Sequence, residues 1–278
     1  MLNDTHIAGM SLLLVKVVMS CAIFMSLMRP FSTELLMESV VTFFAVTIIF
    51  LAGGFLGMGL ARILKASKSE AQCWRFGLTF GNVGFMGIPV ITAVFGYEGL
   101  FYVAMAMVSF NLLTFTIGVR MFEKNAVRPG PVSLFKDNPA LVATIIGFVF
   151  FLTEFRLPVA IEGGIDLIAA MTSPISMILI GAIMAKQPLK KTLTDIRILP
   201  PNAIKLLVTP LLSLLVLRWF VPNPLMLGVI VTIMAMPPAA NTVIFAEQYG
   251  GDADIAVRLV IVGTLLSVIT IPLISLFL

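Results

Sequence analysis

The chain has 278 residues, of which 59% are hydrophobic and only 12% are charged, with a formal net charge of +4 and a mean hydropathy of +1.09. Soluble domains carry about 25% charged residues, so this composition excludes a water-soluble enzyme, a nucleic-acid reader and a disordered scaffold. It implies an integral membrane protein, whose excess positive charge traces to short connections.

A bilayer core of about 30 Å needs roughly 20 apolar residues per helix. Nine stretches qualify, and their continuous apolar runs exclude a β-barrel. In chain order they are Ile7 to Met28, Val40 to Leu60, Ala71 to Phe95, Leu100 to Val119, Pro139 to Leu152, Ile161 to Ala185, Ile204 to Leu217, Pro224 to Ala246 and Ala253 to Leu278. MLNDTHIAGM lacks the positive start of a cleaved leader, so the first run is read as a retained span. Twelve of the 18 basic residues fall on alternate connections: Arg62, Lys65, Lys68 and Arg75; Arg120, Lys124, Arg128 and Lys136; Lys186, Lys190, Lys191 and Arg197. The opposite connections hold Arg29, Arg156 and Arg218. The even connections are therefore expected in the cytoplasm, with the N-terminus inside and the C-terminus outside for nine spans.

Cys21 and Cys73 do not suggest a disulfide framework, and His6 as the sole histidine leaves no cluster for a metal. No cofactor is expected.

The third and eighth stretches carry helix-breaking chemistry near their middles. The third reads FGNVGFMGIPVITAVFG, with Gly81, Gly84, Gly87 and Pro89; the eighth reads TIMAMPPAANTVIFAEQYGG, with Pro237, Pro238 and Asn241. Each is followed by a glycine turn and an acidic residue, Glu98 or Asp252, and then by another apolar span. Five spans separate them, so they cross in opposite senses, the pattern of an inverted-topology repeat. A break in hydrocarbon frees backbone groups that cost several kcal/mol each if unpaired. Paired breaks at corresponding positions point to a ligand site at mid-bilayer. Half-helices starting near Pro89 and Asn241 would aim positive dipole ends there. Asn82 and Asn241 would add amides able to bind a carboxylate. The plainer reading is that Gly and Pro merely kink or pack the helices.

At these residues the sequence resembles the auxin efflux carrier family, which includes bacterial malate and malonate permeases. The carrying segments are FGNVGFMGIPVITAVFG, KDNPALVATIIGFV, MTSPISMILIGAIMA, KLLVTPLLSLL and PPAANTVIFAEQYGGDADIA. The resemblance implies an all-α membrane protein built from two inverted five-helix repeats, with two broken helices crossing near the membrane centre. It also implies small organic anions, often carboxylates, as substrates, and homodimers; the short loops and compact size suggest a bacterial inner membrane. Asn82, Gly84 and Pro89 match one crossover segment; Pro237, Pro238 and Asn241 match the other. Family members usually have ten spans. Nine spans here would place the deficit at the N-terminus, through an upstream start, a truncated chain or a genuine nine-span variant: residues 1–121 are expected to form a first repeat lacking its first helix, 122–138 a cytoplasmic linker, and 139–278 a second five-helix repeat. Ser20 stands where the family normally has proline.

Lys16, mid-span, could attract an anion or snorkel to an interface. Glu98 and Asp252 could couple protons, but at span starts the better reading is helix capping. Glu247 and Asp254 read as solvated charges. Asn111, Thr264 and Ser267 lie at mid-span depth and are second-rank, explained by hydrogen bonds between helices. The composite expectation is a secondary transporter of mono- or dicarboxylates working by alternating access, in lipid, without nucleic acid. The alternatives are a non-transporting sensor or subunit, an inactive truncated carrier, and an intramembrane enzyme. The last is poorly served by a single histidine.

Overall fold

The structure is a computed structural model that describes residues 4–122, 139–185 and 195–278. The predicted linker beyond Phe122, with Lys124, Arg128 and Lys136, and the basic residues Lys186, Lys190 and Lys191 lie outside the described residues. Among the described residues the chain is helical, with one isolated antiparallel bridge, Gly81 to Pro238. Six helices are long and apolar enough to cross a membrane: α1 (Thr5–Leu27), α2 (Thr33–Ile63), α5 (Gly99–Phe122), α7 (Val159–Ala182), α8 (Ile196–Leu217) and α11 (Ala253–Ser275). Three shorter apolar helices are α4 (Val83–Phe95), α6 (Pro139–Thr153) and α9 (Pro224–Met234). α3 (Lys68–Thr79) and α10 (Asn241–Gln248) complete the set. Two expected stretches are thus split: Ala71 to Phe95 into α3 and α4, and Pro224 to Ala246 into α9 and α10.

The chain divides into two compact units, each drawing segments from both halves of the sequence. The first comprises Met1–Phe43, Gly84–Asn111 and Pro129–Gln187; the second comprises Phe44–Val83, Leu112–Arg128 and Pro188–Leu278. The compact units therefore cut the chain differently from the expected division into residues 1–121 and 139–278.

In the first unit, the end of α1 packs on α6 through small-to-large contact. A Cβ added to Gly147 would sit 2.9 Å from Leu27, and Phe24 meets Phe150 edge-on at 5.3 Å. The connections after α1 and α6 are tied together. Arg156 Nη1 donates to the Met28 carbonyl at 2.5 Å, and the Phe31 N–H donates to Glu154 Oε1 at 3.1 Å. Tyr102 Oη donates to Glu38 Oε2 at 2.7 Å, joining α5 to α2.

In the second unit, aromatic rings form the interior. Phe76 lies 4.7 Å from Phe80, 5.4 Å from Phe122 and 5.1 Å from Phe245, and Phe50 meets Phe80 at 5.8 Å. A smaller cluster gathers Ala61, Trp74, Ile198, Leu259 and Val262. Aromatic pairs add about 0.5–1.5 kcal/mol beyond their area, and they retain that geometric preference where lipid removes the hydrophobic drive between helices. The even connections meet here: Arg197 Nη1 reaches Glu70 Oε1 at 2.8 Å, Arg258 Nη1 reaches Asp195 Oδ2 at 2.9 Å, and the Gln72 amide donates to the Phe122 carbonyl.

Candidate functional site

α3 starts on a capping box. Ser67 Oγ accepts from the Glu70 N–H at 3.2 Å, and the Ser67 N–H donates to Glu70 Oε2 at 2.7 Å. Burial alone would raise the Glu70 carboxyl, but the Ser67 hydrogen bonds and the Arg197 guanidinium outweigh it and hold the group below its ordinary range. Twelve residues later the helix stops at Thr79, and Phe80 is extended at φ −105°, ψ 117°.

The second break begins from the other direction. Asn223 Oδ1 accepts from the Leu225 and Met226 N–H groups and Pro224 takes the first turn, a strong helix start. α9 then runs only to Met234, because Pro237 and Pro238 have no N–H to continue the ladder. The two interruptions pair with each other: the Asn82 N–H donates to the Pro237 carbonyl at 2.8 Å, and the Ala239 N–H donates to the Phe80 carbonyl at 2.9 Å. Gly81 fits between them, where a Cβ would lie 3.3 Å from the Ile233 carbonyl oxygen and the Met236 Cβ. Each break thus satisfies backbone groups that the other exposes, which is what makes broken helices tolerable away from water. Asn82, Pro237 and Pro238 are buried, and Asn241, half-buried, opens α10.

Two residues absent from the sequence reading lie on α8 against these breaks. Asn202 is fully buried, and its amide donates to the Ile198 and Leu259 carbonyls at 3.1 and 3.2 Å. Both amide hydrogens are therefore committed to carbonyls, and Oδ1 has no hydrogen-bond donor among the described residues. That oxygen and the Pro238 ring both crowd Gly263, where a Cβ would meet them at 2.5 and 2.6 Å. Lys205, also fully buried, donates from Nζ to the Leu78 carbonyl at 3.2 Å and lies 6.0 Å from the centre of the Phe50 ring. Lys205 sits in a π-helical turn, Ile204–Val208. Hydropathy starts the seventh stretch at Ile204, leaving Lys205 at an edge; the helix begins at Ile196, which places Lys205 well inside.

An open cavity of about 480 Å³ beside the start of α3 and the end of α10 is lined by Lys68, Ser69, Gln72, Phe122, Gln248 and Tyr249.

The chain matches the model of the family described as membrane transport protein over residues 1–130 and 132–275. It belongs to the auxin efflux carrier family. A "Putative malonate transporter" of Rhizobium meliloti (strain 1021) is 26% identical over 239 residues, covering 83% of this chain and 72% of the relative. An "Uncharacterized transporter" of Methanothermobacter thermautotrophicus is 25% identical, covering 69% of this chain and 63% of the relative. The "Uncharacterized transporter YfdV" of Escherichia coli (strain K12) is 22% identical over 271 residues, covering 94% of this chain and 85% of the relative. The chain is therefore a multi-pass membrane protein of a transporter family.

Pro89 stands in the first turn of the α-helical stretch Ile88–Phe95, where a missing N–H costs nothing, and a π-helical turn, Val83–Gly87, precedes it, so that α4 as a whole begins at Val83. Gly84 belongs to the first unit, where it admits the Met19 methyl, 2.7 Å from the position a Cβ would take. Lys16 is exposed, in another π-helical turn, Leu14–Val18, and its carbonyl accepts from Ser20 Oγ at 3.3 Å. The helix is thus distorted there without the family's proline. Glu98 is exposed at the turn before α5. Asp252 caps α11, its Oδ1 accepting from the Ile255 N–H at 3.1 Å. Asn111 is buried in the first unit with Nδ2 unpartnered among the described residues. Thr264 and Ser267 bond to the Val260 and Thr264 carbonyls of their own helix rather than across helices, the ordinary refuge of a buried hydroxyl.

Proposed function

We propose that this protein is a secondary transporter of small organic anions, mono- or dicarboxylates, which bind where the two interrupted helices meet and cross by alternating access. One observation carries the reading: the Phe80–Asn82 and Pro237–Ala239 backbones pair antiparallel, each serving as the other's hydrogen-bond partner. At 1.5 Å per residue, the 12 residues of α3 and the 11 of α9 reach about 18 and 16 Å, close to the middle of a 30 Å core. The antiparallel pairing supports two crossings in opposite senses, as an inverted repeat requires. Helix starts directly after Asn82 and at Asn241 supply partial positive charge, and the two amides supply donors for a carboxylate. The cavity beside Lys68 on the even-connection side, which we assign to the cytoplasm of a bacterial inner membrane, offers a route of entry. The malonate named for the Rhizobium relative makes a dicarboxylate the first substrate to try.

Counterflow of labelled malonate in proteoliposomes tests the proposal. Exchange should occur in the wild-type protein and fall at least about tenfold in Asn82→Ala and Asn241→Ala, with both variants still folded in detergent. Undiminished exchange in both variants would remove the site from this position.

A further inference from the structure

The second unit holds a cation that the site just described does not use. Lys205 is shielded completely from solvent, and among the described residues no carboxylate pairs with it. An ammonium has three donors; one is taken by the Leu78 carbonyl, and the Phe50 ring at 6.0 Å offers only its π-face. Buried charges are ordinarily paired, and an ionisable residue at membrane depth is expensive unless it has work to do.

Its depth can be read from a second contact between the same two helices. Glu70 and Arg197 pair at the connection end, and Leu78 and Lys205 meet eight residues further along both α3 and α8. Eight residues correspond to about 12 Å of helix. Leu78 is two residues before Phe80, so Nζ lies within roughly 10 Å of the paired breaks. One turn earlier on α8, Asn202 touches the space beside Pro238. A single helix therefore braces both interruptions and places its only buried cation next to them.

A structural explanation exists for part of this. The C-terminal carbonyls of α3 carry partial negative charge, and a cation there is favourable. But a neutral amide would serve a single carbonyl just as well without the cost of desolvating an ammonium. We propose that Lys205 supplies the countercharge of the anion site and sets its preference for substrates bearing a carboxylate. The proposal rests on the transport reading above and adds the residue that determines charge selectivity. A unit charge about 10 Å from a carboxylate, at an effective dielectric of about 20, corresponds to roughly tenfold in affinity.

Lys205→Gln separates the two roles, because it keeps a donor for Leu78 and drops the charge. The readout is the malonate concentration giving half-maximal thermal stabilisation of purified protein, alongside half-saturation of malonate counterflow. Both should rise about tenfold in Lys205→Gln and return to within about threefold of wild type in Lys205→Arg. Unchanged half-saturation in Lys205→Gln would overturn the countercharge and leave a helix cap. Wild-type protein gives an independent measurement should the variant not fold: malonate should act at a concentration about tenfold or more below that of uncharged malonamide. Equal potency of the two would overturn the proposal. If wild-type protein neither exchanges nor is stabilised by any carboxylate, the transport reading falls and takes this inference with it; normal exchange with an unaltered Lys205→Gln sinks the inference alone.

Discussion

The first unit buries polar groups mainly as hydroxyls that turn back on their own helices: Ser26 to the Ile23 carbonyl, Ser39 to Leu36, Thr144 to Ala140 and Thr172 to Ala169. The second unit adds Asn202 and Lys205, whose donors reach carbonyls on α11 and α3. A hydroxyl bonded three or four residues back is satisfied wherever its helix goes. An amide or ammonium bonded to a different segment is satisfied only in one arrangement. The glycines repeat the contrast only in part, since Gly84 and Gly147 of the first unit also admit side chains and Gly59 of the second is open. Gly163, Gly164 and Gly181 of the first unit have nothing within 4 Å of an added Cβ, whereas Gly53 and Gly57 of the second press on the backbone of α3 at Leu78 and Arg75. Both units hold long-range contacts, Tyr102 to Glu38 and Gly147 against Leu27 among those of the first, but the fully buried amide and ammonium that bond across helices belong to the unit that holds the paired breaks.

Substitutions that violate this fit should show the difference, the most severe first. Gly53→Ala puts a methyl 2.5 Å from the Leu78 carbonyl oxygen, a backbone atom that cannot swing aside. We expect a loss of about 1–3 kcal/mol, seen as a drop of several degrees in the thermal transition in detergent. Gly163→Ala is its control and should leave the transition unchanged or slightly higher, because an open helical glycine gives up only backbone entropy. An equal loss in both would erase the distinction between the units.

Asn202→Ala comes next. It removes two donors from buried carbonyls but also removes the unpartnered Oδ1, so the expected cost is about 1–2 kcal/mol. A cost well above that range would mean that Oδ1 has a partner of its own in the membrane.

The mildest effect belongs to the connection end of α3. Because the folded protein holds the Glu70 carboxyl low, its contribution is fully present above the ordinary carboxylate value of about 4.3 and is lost as pH falls through the lowered native value. Arg197 is largely exposed, so the pair contributes less than about 1 kcal/mol. Glu70→Gln should flatten that acid limb of a stability-against-pH curve; an identical limb in the variant would assign acid sensitivity to other groups.

Much of this molecule can be read locally. The apolar runs mark α1, α2, α5 and α7 because a helix must satisfy its own backbone in lipid. Gly81, Pro237 and Pro238 mark the breaks because they remove side-chain bulk or an N–H. Asp252 is legible as a cap because it precedes an apolar run after a glycine turn. Local reading fails where prolines are ambiguous. Pro200 and Pro201 read as the end of a connection, yet they occupy the first helical turns of α8, where a missing N–H costs nothing. That error hid both Asn202 and Lys205. Pro89 reads as a helix start and does stand in the first turn of Ile88–Phe95, but a π-helical turn that no local signal marks carries the helix back to Val83.

Sequence alone determined the membrane class, the order of the apolar segments and the places where two helices must stop, since each depends on residues within one or two turns. Tertiary structure decided which exposed backbone groups meet at those stops, and that an ammonium 127 residues along the chain holds the Leu78 carbonyl near the end of α3. Such pairings depend on where distant segments come to lie, and no local periodicity encodes the partner of a carbonyl.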